Sequence, residues 1–157
     1  MLRTIKNIRG FTLTELMVVV TILGLIIVLT IPSFGRFLQS SRLAGEINKM
    51  SLTFRAARSA AITKNIDAVF VLDTAKNEYF YFEDRNGDGQ KNAGELQSAV
   101  VELPPGIVFQ GHTLTQPKVF FSPKGTATES GTITIKNTRN HARTLRIFGG
   151  TGNVSIQ

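Results

Sequence analysis

Between Leu16 and Gly35 the chain carries no charged side chain. Residues 16–31, LMVVVTILGLIIVLTI, are apolar apart from two threonines and one glycine. Counted from Phe11, about 20 residues are available to cross ~30 Å of hydrocarbon, which is the length of one membrane-spanning helix. Valine and isoleucine are abundant here, yet a lone span in lipid must satisfy its own backbone, and only a helix does so. Arg3, Lys6 and Arg9 precede the run. Their charge keeps the amino terminus in the cytoplasm and sends the rest of the chain across. A secretory signal peptide fits poorly, because the run is too long and no A-x-A-like cleavage site follows it. A plain anchor leaves Glu15 unexplained. A carboxylate at the head of a span costs roughly 2–3 kcal/mol on insertion scales, so it calls for a partner.

The rest of the 157 residues suits one modest domain. Formal net charge is +7, and three of the eighteen basic side chains lie before Phe11. The remaining mild excess is compatible with nucleic acid or an anionic surface and requires neither. With no cysteine, a disulfide framework and a thiolate metal site are both excluded. Enzyme constellations are scarce. The two histidines, His112 and His141, have no metal-ligand spacing beside them. His112 follows a glycine and reads as a solvated loop residue. No G-x-S-x-G serine motif occurs. The GGTG at 149–152 has no following lysine or helix and reads as a tight turn between strands.

From 33 to 64 the pattern stays helical. Phe34, Phe37, Leu38, Ile47, Phe54 and Ala61 recur at three- and four-residue steps. Gly35 and Gly45 weaken the helix without ending it. Pro32, lacking an N–H, should kink or loosen it. A helix from Phe11 to about Thr63 would be roughly 80 Å long. Arg55 and Arg58 read as a solvated face. After Lys64 come short β-branched or aromatic runs: IDAVFVL, EYFYFE, QSAVVEL, GIVFQG, KVFF, GTITIK, ARTLRIF and GNVSIQ. DRNGDG, PPG, SPKG and GGTG separate them as turns. The expected fold is α+β: a long N-terminal helix, membrane-spanning in its first half, packed by its second half on an antiparallel β-sheet domain. The expected segments are a basic leader at 1–10, the span at 11–32, an amphipathic extension at 33–64 and the β-rich domain at 65–157.

RGFTLTELMVVVTILGLI resembles the leader and helix start of type IV pilins and type II secretion pseudopilins. The resemblance implies that a prepilin peptidase cuts after Gly10 and that Phe11 is then N-methylated. It also implies that Glu15 pairs with the amino terminus of a neighbouring subunit. A buried carboxylate is tolerable when an opposite charge meets it, so Glu15 would set axial register. FRAARSAAITKN, VFFSPKGTATESGTITIKN and a final basic strand pair resemble the GspH/FimT group of minor pilins and pseudopilins. Where many members carry a glycine–arginine pair, this chain has Ala142 before Arg143. The resemblance implies an inner-membrane, single-pass precursor whose C-terminal domain is periplasmic or extracellular. Its partners would be other pilins, the peptidase and the membrane. It implies no enzymatic activity.

Two further stretches suggest ligands. DRNGDGQKNAGE (84–95) fits the calcium-loop pattern D-x-[DN]-x-[DN]-G-x5-E. Asp84, Asn86, Asp88, Asn92 and Glu95 would offer side-chain oxygens and Gln90 its carbonyl. A strand precedes the loop instead of an entering helix, so a solvated acidic hairpin loop remains the alternative. From Lys118 onward six basic side chains face only Glu129. Lys136, Arg139, Arg143 and Arg146 could contact DNA phosphates, as the association of some FimT-like pilins with DNA uptake also suggests. The alternative is a sheet whose basic edges guard against edge pairing.

Overall fold

The computed structural model describes residues 10–157, without the side chains of 31–34 and 36. The leader cations Arg3, Lys6 and Arg9 lie outside the described residues, as does the side chain of Pro32. One helix, α1, runs Leu13–Lys64. The chain divides into two compact units, the first ending at Leu38 and the second running Gln39–Gln157.

Among the described residues of the first unit, every side chain of α1 is exposed. Leu13–Thr30 is long and apolar enough to cross a membrane, and none of it is buried. The threonines inside this stretch do not spoil it. Thr21 donates its hydroxyl to the Met17 carbonyl at 2.8 Å, and Thr30 donates to Ile26 at 2.7 Å. Both hydroxyls are thereby satisfied without water.

In the second unit the same helix presents a buried stripe. Leu43, Ile47, Met50, Phe54, Ala57 and Ala61 are each at most 2 % exposed. Alternating steps of four and three keep them on one face. Two fully buried alanines end the stripe, and Phe54 is its largest side chain. Its ring meets Phe70 edge-on at 5.3 Å and Phe121 at 4.7 Å. Helix α1 ends where Asn65 turns left-handed (φ 54°) and the Ile66 N–H returns to the Ala61 carbonyl at 3.2 Å, a Schellman-type closure.

Eight strands follow: β1 Asp67–Asp73, β2 Glu78–Asp84, β3 Val101–Glu102, β4 Ile107–His112, β5 Lys118–Phe121, β6 Gly131–Asn137, β7 Ala142–Phe148 and β8 Asn153–Ile156. They form two four-stranded sheets, ordered β3-β2-β1-β5 and β4-β6-β7-β8. Every pairing is antiparallel. All eight runs read from the sequence become strands, although QSAVVEL keeps only two strand residues and a bridge from Gln97 to Phe82. Inward residues of both sheets join the helix stripe in one core, Phe70, Phe121, Ile133 and Leu145 among them.

The first sheet is also covered on its far side. Val69 and Phe82 face each other across β1 and β2, opposite to the core, yet are only 0 % and 1 % exposed. Phe120 continues that face beside Val69. Segment 84–95 lies on it. Gly89 adopts φ +69°, and a Cβ there would come within 2.7 Å of the Phe120 ring. The Lys118 ammonium donates to the Gly89 carbonyl at 2.9 Å. The acidic loop thus roofs a second, smaller apolar layer.

Two expectations about single residues change. Arg58 is not a solvated side chain: its Nε donates to the Gly125 carbonyl at 2.8 Å. Gly152 sits beside the same carbonyl, where a Cβ would come within 2.3 Å, so Arg58 ties α1 to two turns. Arg55 is exposed. His112 is not a solvated loop residue either. It ends β4, half-buried, with an Nδ1 that is buried and unbonded. Its cross-strand neighbour is Ile133, an inward residue, so register turns the ring inward.

Candidate functional site

Gly10 and Phe11 are exposed ahead of the helix. The next residues form a capping box. Thr12 stands just before α1, and Glu15 is the third residue inside it. The Thr12 Oγ1 accepts from the Glu15 N–H at 3.3 Å. In return one Glu15 carboxylate oxygen accepts the Thr12 N–H at 3.0 Å and its hydroxyl at 2.8 Å. Such reciprocal bonds satisfy two of the free donors at a helix start, and a carboxylate suits the positive end of the helix dipole. Within a single chain, therefore, Glu15 already has a partner. The signal is present in the sequence as T-x-x-E at 12–15, so Glu15 has a local role as a cap beside the assembly role expected of it. Both residues follow the Gly10–Phe11 bond, so the cap survives cleavage there.

The 84–95 loop brings its expected residues together but turns them on its own backbone. Asp84, only 2 % exposed, accepts the Gly87 N–H on one oxygen and the Gly89 N–H on the other, each at 2.7 Å. Glu95 accepts Arg85 N–H at 3.0 Å and Asn92 N–H at 2.8 Å. Asp88 accepts the Gln90 N–H at 2.7 Å, while the side-chain amides of Asn86 and Asn92 converge on its other oxygen at 2.9 and 2.7 Å. These bonds, the Gln90 N–H foremost, hold the Asp88 carboxyl below its usual value, with help from the Lys118 charge. The donor set, all oxygen, is right for Ca²⁺. Among the described residues no group of three acidic or histidine side chains converges on one point. The amide nitrogens of Asn86 and Asn92 stand where a cation would compete for Asp88.

The four basic side chains are split. Thr132, Thr134 and Lys136 of β6 share one face with Arg146, which lies opposite Thr132. Arg146 lies over the Phe148 ring, 5.3 Å from its centre, within cation–π range. Arg143 lies opposite Ile135 and so falls on the other face, at the exposed end of the sheet. Arg139 is exposed in the turn between β6 and β7. Lys136 and Arg146, four residues apart in register, are about 13 Å apart along the strands.

A sequence profile described as type II transport protein GspH matches residues 46–151. The chain belongs to that family. A second profile, the prokaryotic N-terminal methylation motif, matches residues 5–31. Among solved structures the fold is similar to the minor pseudopilin EpsH of the Vibrio cholerae type 2 secretion system. The TM-score is 0.59 at 14 % identity, covering 74 % of this chain and 96 % of that one. It is similar too to the type IV minor pilin FimU of Pseudomonas aeruginosa, with TM-score 0.59 at 15 % identity, covering 77 % and 92 %. Among curated protein sequences none matches significantly. As a GspH-family chain it is a minor pilin or pseudopilin, a structural component of a pilus or secretion pseudopilus, and its amino-terminal motif marks it for prepilin peptidase. It is a membrane-anchored, filament-forming protein that assembles with other pilins.

Proposed function

We propose that this GspH-family chain is made as a single-pass inner-membrane precursor with a cytoplasmic amino terminus and a periplasmic or extracellular C-terminal domain. It is cut between Gly10 and Phe11, methylated at Phe11, and drawn into the filament through the first part of α1. There Glu15 meets the amino terminus of a neighbouring subunit. The observation that carries this reading is an apolar stretch, Leu13–Thr30, none of which is buried, headed by a carboxylate whose hydrogen bonds among the described residues are to Thr12. Such a helix needs lipid before assembly and other helices after it. The cap keeps the carboxylate tolerable in the lone subunit. An incoming ammonium in low dielectric offers it a stronger partner.

Mass spectrometry of the membrane-extracted protein tests the processing. The expected chain begins at Phe11 with one added methyl group. A chain that still begins at Met1, in cells that carry the peptidase, overturns the proposal.

A second reading, DNA capture outside the cell, is favoured by one observation: Arg146 backed by Phe148 on the face that also bears Lys136. A soluble fragment, Gln39–Gln157, should then shift duplex DNA at low salt and release it steeply as salt rises. Replacing Lys136 and Arg146 by alanine should weaken binding for all sequences alike, whereas Arg143→Ala, on the other face, should weaken it less. No shift at low salt rejects this reading.

A further inference from the structure

Where the second unit begins, α1 contributes Gln39 and Arg42 to a small notch of about 60 Å³. The Pro104–Gly106 turn ahead of β4 forms one wall, and Asn137 and Thr138, at the end of β6, form the other. The volume is well above the ~10–15 Å³ that one water needs. It is too small for a sugar or a nucleotide.

Asn137 decides what this notch can hold. Its side chain is 5 % exposed. Its Oδ1 accepts the Arg139 and His141 N–H groups, each at 3.0 Å. Those two bonds fix the amide, because flipping it would set Nδ2 against two donors. Nδ2 is therefore the atom left over, and it is buried with no hydrogen-bond partner. A buried donor without an acceptor is costly. Gln39 repeats the situation from the helix side. Its Oε1 is also buried and unbonded, and its amide is free to turn its NH₂ inward instead. Arg42 lies one turn on, exposed, and enters none of the ion pairs among the described residues. Pro104 and Gly106 carbonyls are already engaged, by the Ile107 and Thr138 N–H groups. The notch thus presents unmet donors and a positive charge, and the Pro104 and Gly106 acceptors on its wall are taken.

The geometry points to a carboxylate-binding site: an Asp or Glu side chain of a neighbouring filament subunit enters the notch. One oxygen accepts from Asn137 Nδ2 and the turned Gln39 amide, and the Arg42 guanidinium pairs with the other. That the carboxylate comes from a subunit rests on the filament reading above. Gln39 directly follows the apolar unit in sequence, so a subunit packed along α1 brings its own surface to these residues. The charge also fits, since after cleavage at Gly10 this chain keeps fifteen basic against eleven acidic side chains. The contact would fix a neighbour at the base of the domain, separately from Glu15.

The test uses the full chain in cells that assemble the filament, with a photo-crosslinking amino acid at Thr138 on the rim. The expected product is a crosslink to another subunit through a peptide that contains Asp or Glu. Asn137→Asp keeps the oxygen that holds the turn and replaces the free donor by a repelling oxygen. Arg42→Gln removes only an exposed charge. Each should cut the Thr138 crosslink roughly tenfold or more, since the entering carboxylate loses one of its hydrogen-bonding partners. The same crosslinker at Val19 reports helix packing and should be unaffected by either variant. No Thr138 product, with Val19 products intact, overturns the subunit contact and leaves the filament reading standing. A crosslinked peptide without Asp or Glu, or equal yields in wild type and variants, overturns it as well. Loss of the Val19 products in the wild type overturns the filament reading itself. Acetate is the probe for a free carboxylate. If it raises the melting point of the purified full chain but not of Asn137→Asp, and Thr138 gives no product, the ligand is a free carboxylate and the subunit source is wrong.

Discussion

The two parts of α1 are written in similar residues and live in different solvents. Leu23 and Leu29 are 53 % and 68 % exposed, whereas Leu43 and Phe54 are 2 % and 0 % exposed. The difference is one of pattern more than composition. Around the first part apolar side chains point in every direction, which only lipid or other helices can accommodate. Along the second they form a single stripe, and the other face carries Arg42, Lys49 and Arg55, all exposed. A helix that is apolar all round depends on its surroundings. One that is apolar on a stripe is held by its own chain.

Equal truncations on the two parts should therefore give unequal results. Phe54→Ala removes a fully buried ring between Phe70 and Phe121 and should cost about 3–5 kcal/mol of stability. Leu23→Ala should leave the unfolding of the domain unchanged, because Leu23 is exposed and no part of the core. Denaturant titrations of the two variants in detergent check this. Similar midpoints would mean that α1 does not anchor the domain through its stripe.

Glu15 separates assembly from capping. Gln at this position still accepts the Thr12 N–H, as capping boxes allow, but carries no charge. Glu15→Ala loses both functions. If the carboxylate pairs with a neighbouring amino terminus, both variants should lose filament incorporation to a similar extent, while both still enter the membrane. If Glu15 serves only as a cap, Glu15→Gln should incorporate like the wild type. Crosslinking to neighbouring pilins measures the difference.

The helix, the eight strands and the loop at 84–95 were legible because each rests on local signals: an uncharged run, alternation bounded by Gly, Pro and Asn, and a spaced set of Asp and Asn. What was not legible is non-local. Nothing in KVFF says that β5 must pass β4 to pair with β1, with Ala68 opposite Phe121, nor that the strands divide into two sheets. Leu43, Met50 and Ala57 escaped because polar or small neighbours interrupt their spacing, and only the sheets beneath reveal the stripe. The roofed layer did leave a trace. AVFV and YFYF are apolar at consecutive positions, which marks strands covered on both faces. Asn137 left none: an asparagine before a turn is ordinary, and its free amide hydrogens exist only because two turn N–H groups claim its oxygen.

Arg58 and Arg55 give a narrower comparison on the same helix. Arg58→Ala removes a charged donor from the Gly125 carbonyl and should cost about 1.5–3 kcal/mol. Arg55→Ala, at an exposed position, should stay within about 0.5 kcal/mol of the wild type. Thermal melts of both variants decide it; equal losses would mean that the Arg58 bond adds nothing.

The smallest effect concerns calcium. A loop organised by an ion would hold its carboxylates apart for that ion. Here Asp84 and Glu95 close the turns by accepting four backbone N–H groups between them, so closure needs no metal. We propose that Ca²⁺ is a weak ligand of this loop and displaces the Asn86 and Asn92 amides from Asp88. At a calcium concentration near its Kd, such a site adds only about 0.4 kcal/mol by mass action, a small rise in melting point over a chelator control. Asp88→Asn should abolish that rise, since the cation loses its central charge. Asp84→Ala should lower the melting point with or without calcium, because two loop amides lose their acceptor. Acid sharpens the assignment. The Asp88 carboxyl is held below its ordinary value of 3.8. Its charged form therefore supports the loop fully above that value, and the support fades as pH falls through the lower folded one. Calcium sensitivity should vanish over the same acid range, as protons take the oxygen that the ion would use. Equal wild-type melting points in millimolar calcium and in chelator at neutral pH would leave 84–95 as a self-closed roof over Val69, Phe82 and Phe120, with no ion in its function.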